Sequence, residues 1–441
     1  MKSFVRIVSM LVLLPAASWG APQAATDAPA AAPDTSQRKV IAPAGTETVR
    51  ALTLKECYRL ALKQSELIAI RGELIKEAEA HFLQAFGTVM PQASFVRAER
   101  RQHSDITPSA NKGFDQQFVF TQLLFSGFKE IARMSASKFE KKSRTDEKTR
   151  AEQLLFTDVS DAFYLLLELR DDLETLDVIK KALMERVAEL KEREAIGKSR
   201  ASEVVMTQVQ LYTLEAEVEL VRAQERVARE LLEFLIGGPA DEIVDPDASI
   251  AVKPECDYVA EAPSRKDVTA AYEAWQAALK RITVARSGYF PTVNIEGDVY
   301  THRFSSPQDA HWAAYFTVDV PVFTGTIVYG DVMQATAIAR ENELLYQRAK
   351  RVAVREIHDA YTIVEAALRR SRILENAQKA AEENYRLQTE DYKLNCVNNL
   401  DVLSSIQTLN NTRREHIHAE YQAKRYFWQL LTAAGEIDTD Q

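Results

Sequence analysis

Apolar residues recur at alternating steps of four and three along two consecutive segments in the first half of the chain. The first segment, from Leu155 to Leu190, keeps this spacing with one interruption at Lys180. The second, from Val204 to Leu235, resumes it after a short polar break. Because such spacing puts the apolar side chains on one helix face, the two segments predict a coiled-coil helical hairpin. A free-standing hairpin and a part of a larger helical assembly fit the pattern equally well.

The helices of this hairpin are predicted to be very long. No glycine occurs from 128 to 196, and none occurs from 331 to 434. Since glycine and proline are the residues that end helices most often, 128–194 can form one helix of about 100 Å at 1.5 Å per residue. Two shorter helices, 52–89 and 200–236, would match its length when stacked end to end.

Ahead of each long helix the period changes to two. Thr292–Phe304 and His311–Val320 alternate between apolar and polar positions, as half-exposed strands do, and Phe114–Leu124 alternates similarly. Ser94–Arg101 alternates poorly, because charged residues crowd its second half. In the two later strands one face carries polar or acidic positions, which include Asn294, Glu296, Asp298, Thr317 and Asp319.

The same order of strands and helices occurs twice along the sequence. Phe-Ser-Gly at 125–127 matches Phe-Thr-Gly at 323–325, which lies 198 positions later, and about 180 residues follow this register with one two-residue difference. In each copy a glycine is expected to turn the chain from strand into helix. A proline is expected to mark the reverse passage. These turn residues are Gly127, Gly325, Pro91 and Pro291. The far helical turns are expected at 197–202 and 395–399.

The chain begins with a secretion signal. Lys2 and Arg6 precede an apolar run too short to span a bilayer, and small residues precede a cleavage point at Ala21. Removing the signal takes the formal net charge from −9 to −11, which disfavours nucleic acid as a partner. The predicted organisation is a signal peptide (1–20), a flexible Ala/Pro-rich leader (21–50), a first repeat (51–237), a linker (238–262) and a second repeat (263–437).

Strands of about ten residues with one apolar and one polar face fit the wall of a β-barrel in lipid. A half-buried sheet of a soluble protein shows the same alternation. The barrel is favoured because helices of about 100 Å offer four strands no compact core to cover, and because unpaired edges are costly in hydrocarbon. Four strands cannot close a barrel. Two copies of the chain would supply eight strands and three copies twelve, and the pattern does not choose between these.

Short motifs occur in order along each copy. In the first they are LTLKECYRLALKQ (52–64), FGTVMP (86–91), FTQLLFSG (120–127), the turn at 197–205 and Gly237. In the second they are SRKDV (264–268), RSGYFP (286–291), VDVPVFTG (318–325), YKLNCVNNLDVL (392–403) and Gly435. Their order, spacing and duplication closely resemble the TolC family of outer-membrane efflux proteins over residues 50–437.

The resemblance implies a mainly α fold with a small β part, built from two tandem helix–β-hairpin–helix repeats. It implies a homotrimer whose 12-stranded β-barrel in the outer membrane of a Gram-negative bacterium continues into a long α-helical barrel in the periplasm. Such proteins are passive exit ducts for efflux or type I secretion, coupled to an inner-membrane pump through a periplasmic adaptor. The alternative is a periplasmic coiled-coil adaptor or spacer without a pore. No enzymatic activity, cofactor or metal site is expected, because the sequence contains no P-loop, no nucleophile elbow and no HExxH motif.

The resemblance also implies a periplasmic aperture closed by aspartates and interhelix links. The family's first ring aspartate falls on Asp401, and its second ring position falls on Ser404. Its linking tyrosine falls on Tyr392, whereas its linking arginine falls on Val397, and the aspartate of the first copy corresponds to Glu203. The closing network is therefore incomplete, and a different lock is expected.

The other implied sites are the helical turns and the barrel lumen. The adaptor-contacting tips correspond to Ile196, Gly197, Lys198, Leu394, Asn395 and Cys396. The polar strand positions named above would line the lumen, where they either favour cations or simply keep the lumen wet.

Two simpler interpretations stay open. Asp401 could merely favour a helix N-terminus capped by Asn398 or Asn399. Cys57 and Cys256 would both lie at the waist of the helical barrel, where they could remain free or form a disulfide, and Cys396 would be a free thiol.

Overall fold

The computed structural model describes residues 51–102, 111–246, 250–304, 309–394 and 396–437. The predicted signal peptide, the leader and Asn395 lie outside the described residues. In the described part of the chain, no helix combines the length and the apolar character that a membrane crossing requires.

The two copies contain helices of matching length. The long helices α3 (Lys129–Ala195) and α7 (Ile327–Lys393) have 67 residues each, about 100 Å. The returning helices α4 (Ala201–Ile236) and α8 (Asn399–Ala434) have 36 residues each. The long helical hairpins predicted from the heptad spacing are therefore present, with the predicted lengths, in both copies.

The first short helical segment differs from the prediction because it is broken at Ser65. Helix α1 covers Leu54–Gln64, and α2 covers Glu66–Gly87. Ser65 ends α1 in an extended conformation and starts α2, since its hydroxyl accepts a hydrogen bond from the backbone of Ile68. Serine is among the preferred N-cap residues, and here that preference interrupts an otherwise continuous helical segment.

The second copy begins with shorter elements. Helix α5 (Glu255–Glu261) and a 3₁₀ turn (Ala262–Ser264) lead into α6 (Lys266–Arg286), which ends in a second 3₁₀ turn at Ser287–Tyr289. Helix α6 occupies in this copy the position that α2 has in the first.

The strands form one antiparallel sheet in the order β1-β2-β3-β4. They are β1 (Gln92–Gln102), β2 (Asn111–Ser126), β3 (Thr292–His302) and β4 (Trp312–Asp319). Both hairpins thus pair within themselves, and β2 pairs with β3 to join the two copies.

The helices lie side by side in the same order as the strands. Next to the sheet, α2 packs on α3, α3 on α6, and α6 on α7. Farther from the sheet, α4 packs on α3, α3 on α8, and α8 on α7. The described helices and strands therefore form a wall four elements wide. One edge is formed by β1, α2 and α4, and the other is formed by β4 and α7.

Three apolar clusters hold this wall together. The largest packs α1 and the linker against α3 around Phe163 and Tyr164, the second lies toward the helical turns, and the third surrounds Tyr258. At the C-terminus of α8, Arg150 donates a 2.6 Å hydrogen bond to the Thr432 carbonyl and Arg265 a 3.1 Å bond to the Ala433 carbonyl. Two cations thus satisfy carbonyls that helix geometry leaves unpaired.

The cysteines are free, so the disulfide left open by the sequence is not formed. Cys57 is fully buried in the largest cluster, whereas Cys256 and Cys396 are exposed. Burial raises the pKa of the Cys57 thiol to about 12, and the Glu56 carboxylate adds to the shift.

We expect a maleimide at pH 8 to modify Cys256 and Cys396 in the folded protein and to leave Cys57 unmodified. The physical reason is that the thiolate is the reactive form, and Cys57 is both protonated at pH 8 and out of contact with water. Peptide mass mapping before and after denaturation checks this. Modification of Cys57 at the same rate as Cys256 would contradict the buried position.

Candidate functional site

The two helical hairpins end in turns at the pole farthest from the sheet. Gly197 has a left-handed φ of 72°, and the amide of Lys198 reaches back to the carbonyl of Arg193 at 2.8 Å. Ile196 and Leu394 are exposed in the two turns, as is Cys396. Each turn therefore presents one large apolar side chain with no cover from this chain.

A buried arginine joins the two hairpins just above these turns. The side chain of Arg186, on α3, is 7% exposed. Its guanidinium carbon lies 3.7 Å from the ring centroid of Tyr392 on α7, and its Nε donates a 3.0 Å hydrogen bond to Oδ1 of Asn399 on α8. Asn399 in turn donates to the hydroxyl of Thr207 on α4 at 3.2 Å. All four helices thus meet at one polar cluster.

The charge of this cluster is only partly balanced. Arg186 Nη1 lies 2.7 Å from Glu189, and Arg193, whose guanidinium is 4.6 Å from the Tyr392 centroid, shares the same carboxylate at 3.4 Å. Nη2 of Arg186 is buried without a hydrogen-bond partner. Apart from Glu189, Arg186 is held by a neutral amide and an aromatic face, and a buried cation is sensitive to the loss of such partners.

The sequence singled out Tyr392 but missed Arg186, Asn399 and Thr207 as its neighbours. Arg186 lies beside the apolar heptad positions of α3, where a lone cation normally points to solvent. Its partners are some 200 positions away in the sequence, so that no local pattern could have revealed them.

Of the predicted aperture residues, Tyr392 lies at the C-terminal end of α7. Glu203 lies in the first turn of α4, and Asp401 and Ser404 lie in the first two turns of α8. Asp401 forms a reciprocal capping box with Asn398, each side chain accepting a 3.1 Å bond from the other residue's amide. Within the single chain Asp401 therefore acts in the N-terminal cap of α8, as the simpler interpretation expects. Asp401 and Ser404 are exposed on one face of α8, and Glu203 accepts a 2.6 Å bond from the hydroxyl of Ser199.

Salt bridges join the two repeats along the α3–α8 seam. Arg414 on α8 contacts Asp172 on α3 at 2.6 and 2.9 Å and also pairs with Glu217 on α4. Glu168 lies 2.6 Å from His418 Nδ1 and 2.9 Å from Arg425. Polar contacts, and not the heptad contacts alone, thus fix the register of one repeat against the other.

One face of the sheet is a continuous apolar surface. The strand register aligns Phe95, Phe118, Val299 and Trp312 across all four strands, and all four side chains are exposed, Trp312 to 70%. The next rows toward the helices add Phe120, Ile295, Phe316 and Val318. An isolated soluble sheet would not leave such a surface to water.

The five predicted lumen positions share the opposite face. Asn294 pairs with Thr317, and Asp319 pairs with Thr292 on the same side. Asp298 is buried and accepts bonds from Gln117 at 3.4 Å and from Tyr300 at 3.3 Å. Glu296 lies between Asn294 and Asp298 on this face.

The turns that connect strands and helices contain the predicted residues. Pro91 directly precedes β1, and Pro291 directly precedes β3. Gly127 and Gly325 follow β2 and β4 with a left-handed φ of 63° each. A Cβ at Gly127 would lie 2.7 Å from Cβ of Phe290, so that position requires glycine for space as well as for conformation.

No group of three or more metal-ligating side chains occurs in the described ranges. The charged residues form ion pairs across helices, as in the α3–α8 seam, and within helices, as in α7.

Comparisons with known proteins agree with this geometry. Residues 260–436, the second repeat, match the family model described as outer membrane efflux protein. Nodulation protein T of Rhizobium leguminosarum biovar trifolii is 22% identical over 257 residues, which are 56% of this chain and 55% of that protein. The outer membrane protein TolC of Vibrio cholerae is 21% identical over 417 residues, which are 89% of this chain and 92% of TolC.

Solved structures show the same fold. The crystal structure of the outer membrane protein VceC of Vibrio cholerae matches with a TM-score of 0.77 at 22% identity, covering 87% of this chain and 96% of VceC. The chain thus has the fold of VceC.

The second repeat thus matches the outer membrane efflux protein family, and the fold of the chain is that of VceC. None of these comparisons supports the adaptor alternative.

Proposed function

We propose that three copies of this chain close into one conduit, a 12-stranded barrel in the outer membrane that continues into a tube of helices. The observation that carries the proposal is that both edges of the four-element wall are open in the single chain. Among the described residues, the strands β1 and β4 each pair with one neighbour, and α2, α4 and α7 each lack a neighbour on one side. In hydrocarbon an unpaired strand edge is not tolerated, so the sheet requires further copies.

The distribution of exposed apolar side chains supports closure along the whole length. On the central helix α8, Leu400 is the one exposed large apolar residue in the described range. The edge helices carry many more, and on α4 they form a second heptad stripe beside the buried one. That stripe includes Val209, Leu220, Val227 and Phe234. The opposite edge, α7, carries Ile338, Leu344, Ile363, Ile373 and Leu387.

Such a tube is a passive exit duct of a tripartite efflux or type I secretion system. The energy comes from an inner-membrane pump, and a periplasmic adaptor joins the pump to the helical turns. The exposed turn residues Ile196 and Leu394, with Gly197, Lys198, Asn395 and Cys396, are proposed as the adaptor contacts. Crosslinking from Lys198 to a co-expressed adaptor tests this contact, and its consistent absence would refute it.

The aperture is proposed to lie where the turns converge. Asp401 and Ser404 would face the axis, with Glu203 nearby, and the Arg186 cluster would hold the two hairpins of each chain together. Arg186 and Tyr392 would thus replace the tyrosine–arginine link that Val397 cannot make. The polar positions from Asn294 to Asp319 would line the barrel lumen.

Planar-bilayer recording tests the function directly. The purified protein is expected to form a pore, and divalent cations added on the periplasmic side are expected to block it, because three Asp401 carboxylates near one axis attract cations. Asp401→Ala is expected to weaken this block several-fold. A protein that never conducts would refute the duct, whereas unchanged block in the variant would remove Asp401 from the aperture.

A further inference from the structure

The apolar face of the sheet ends abruptly on the side away from the helices. Its last complete apolar row contains Phe95, on β1, and Phe118, on β2. Two residues farther along β1, about 7 Å at the rise of a strand, the same face carries Arg97. Arg97 is exposed and pairs in register with Gln116, which in turn pairs with His302 on β3.

Arg97 belongs to a stack that crosses three strands. Its guanidinium carbon lies 4.5 Å from the centroid of the Phe114 ring. The other side of the stack is His302, whose ring centroid is 4.2 Å from that of Phe114 at an interplanar angle of 29°. A guanidinium held on an aromatic ring keeps its planar N–H fork in a fixed orientation.

Charged sequence positions continue along β1 beyond this stack. The register places Arg101 opposite Lys112 at the end of the β1–β2 hairpin, with Glu99 as the acidic residue between Arg97 and Arg101 on the same strand. These charges are the reason why this strand failed to alternate in the sequence. The charged residues begin where the apolar face of the sheet ends, and the strand continues through them.

We propose that this rim, formed by Arg97, Phe114 and His302, binds the phosphate groups of lipids in the outer leaflet. The inference rests on the proposed function, because the barrel must stand in the membrane for its apolar face to meet lipid. The rim shares the face of the Phe95 row and not the polar face of Asn294 and Asp298. Its ligand therefore comes from the surrounding lipid and not from a solute in the lumen.

Two physical arguments select a phosphorylated headgroup. Arginine is strongly disfavoured in hydrocarbon, so a lipid-facing Arg97 just beyond the apolar rows lies at headgroup depth. A planar guanidinium forms paired hydrogen bonds with phosphate oxygens, and a basic residue at this depth is attracted to anionic headgroups. The site would occur three times around the barrel.

The test measures binding of the full-length protein, in phosphatidylcholine nanodiscs, to lipid A that carries two phosphates and to the same lipid after enzymatic dephosphorylation. The wild-type protein is expected to prefer the phosphorylated form at least tenfold. Arg97→Gln is expected to weaken that binding about fivefold, which corresponds to the attraction of one basic residue near an anionic surface. Phe114→Leu, which keeps the charge but removes the ring beneath it, is expected to cause a smaller loss.

Lys191→Gln is the matched control, since it removes one exposed positive charge from α3, far from the sheet. It should bind phosphorylated lipid as the wild type does. Equal binding of both lipids by the wild type, or full binding by Arg97→Gln, would overturn the proposal. Bilayer conductance of the same preparation separates the two ideas. A conducting protein without lipid preference refutes the rim alone, and one that neither conducts nor binds refutes the proposed function.

Discussion

Replacing Val227 and Phe234 together with aspartate is expected to abolish the trimer. Both side chains lie in the exposed apolar stripe of α4, and Phe234 is 76% exposed in the single chain. Their burial against a neighbouring copy would contribute about 1.5–3 kcal/mol each. Aspartates at these positions would instead place unpaired charges in each of three interfaces. We expect monomers on native gels and no heat-modifiable species from outer-membrane extracts.

Leu154→Asp with Val178→Asp is the matched control. Both of these leucine and valine side chains are exposed, but they lie on the central helix α3, which has neighbours on both sides within the chain. The control variant should assemble as the wild type does. Normal trimers from the α4 variant would show that this edge is not an interface.

Asn399→Leu is expected to open the periplasmic end. The substitution removes the acceptor of the Arg186 Nε–H and leaves a buried cation with an unsatisfied donor. Losing a hydrogen bond to a charged group costs about 1.5–3 kcal/mol. Because the arginine regains water when the hairpins separate, the open-to-closed ratio should rise about tenfold or more, at 1.4 kcal/mol per factor of ten. Open probability in bilayer recordings measures it.

The double variant Asn399→Leu/Arg186→Met provides the decisive comparison. It removes the buried charge together with its partner, and an apolar pair of similar size is often as stable as the ion it replaces. The double variant should therefore close again. Asn410→Leu is the control, because Asn410 is a buried asparagine of the same helix whose Oδ1 has no partner to lose. Opening by the control, or no rescue in the double variant, would remove Arg186 from the lock.

The long elements could be predicted from the sequence because their determinants are local. The absence of glycine and proline bounded α3 and α7, and the heptad stripe from Leu155 to Leu190 identified the buried face of α3. The period-two segments located β2, β3 and β4, and the duplication showed that each hairpin precedes a long helix.

The contacts between distant segments could not be predicted in this way. The Arg186–Tyr392–Asn399 cluster forms where four helices meet. The residues near Arg186 in the sequence contain no pattern that predicts these contacts. The break at Ser65 was missed for the opposite reason. A single capping residue there outweighs a helical pattern that is continuous on both sides.

The charged half of β1 was the one strand segment that alternation did not explain. The structure shows a complete strand, Gln92–Gln102, whose charges begin where the apolar rows end. Apolar and polar residues alternate along a strand only while each face of the sheet stays in the same environment. A strand that passes from an apolar environment to a polar one changes its pattern midway.

The mass of the intact particle tests the central claim, that one chain is one third of a closed wall. Native mass spectrometry of the protein extracted from outer membranes into detergent is expected to give three copies and no stable single copy. A monodisperse monomer that remains folded in water without detergent, with its β1 and β4 edges unpaired, would contradict the account.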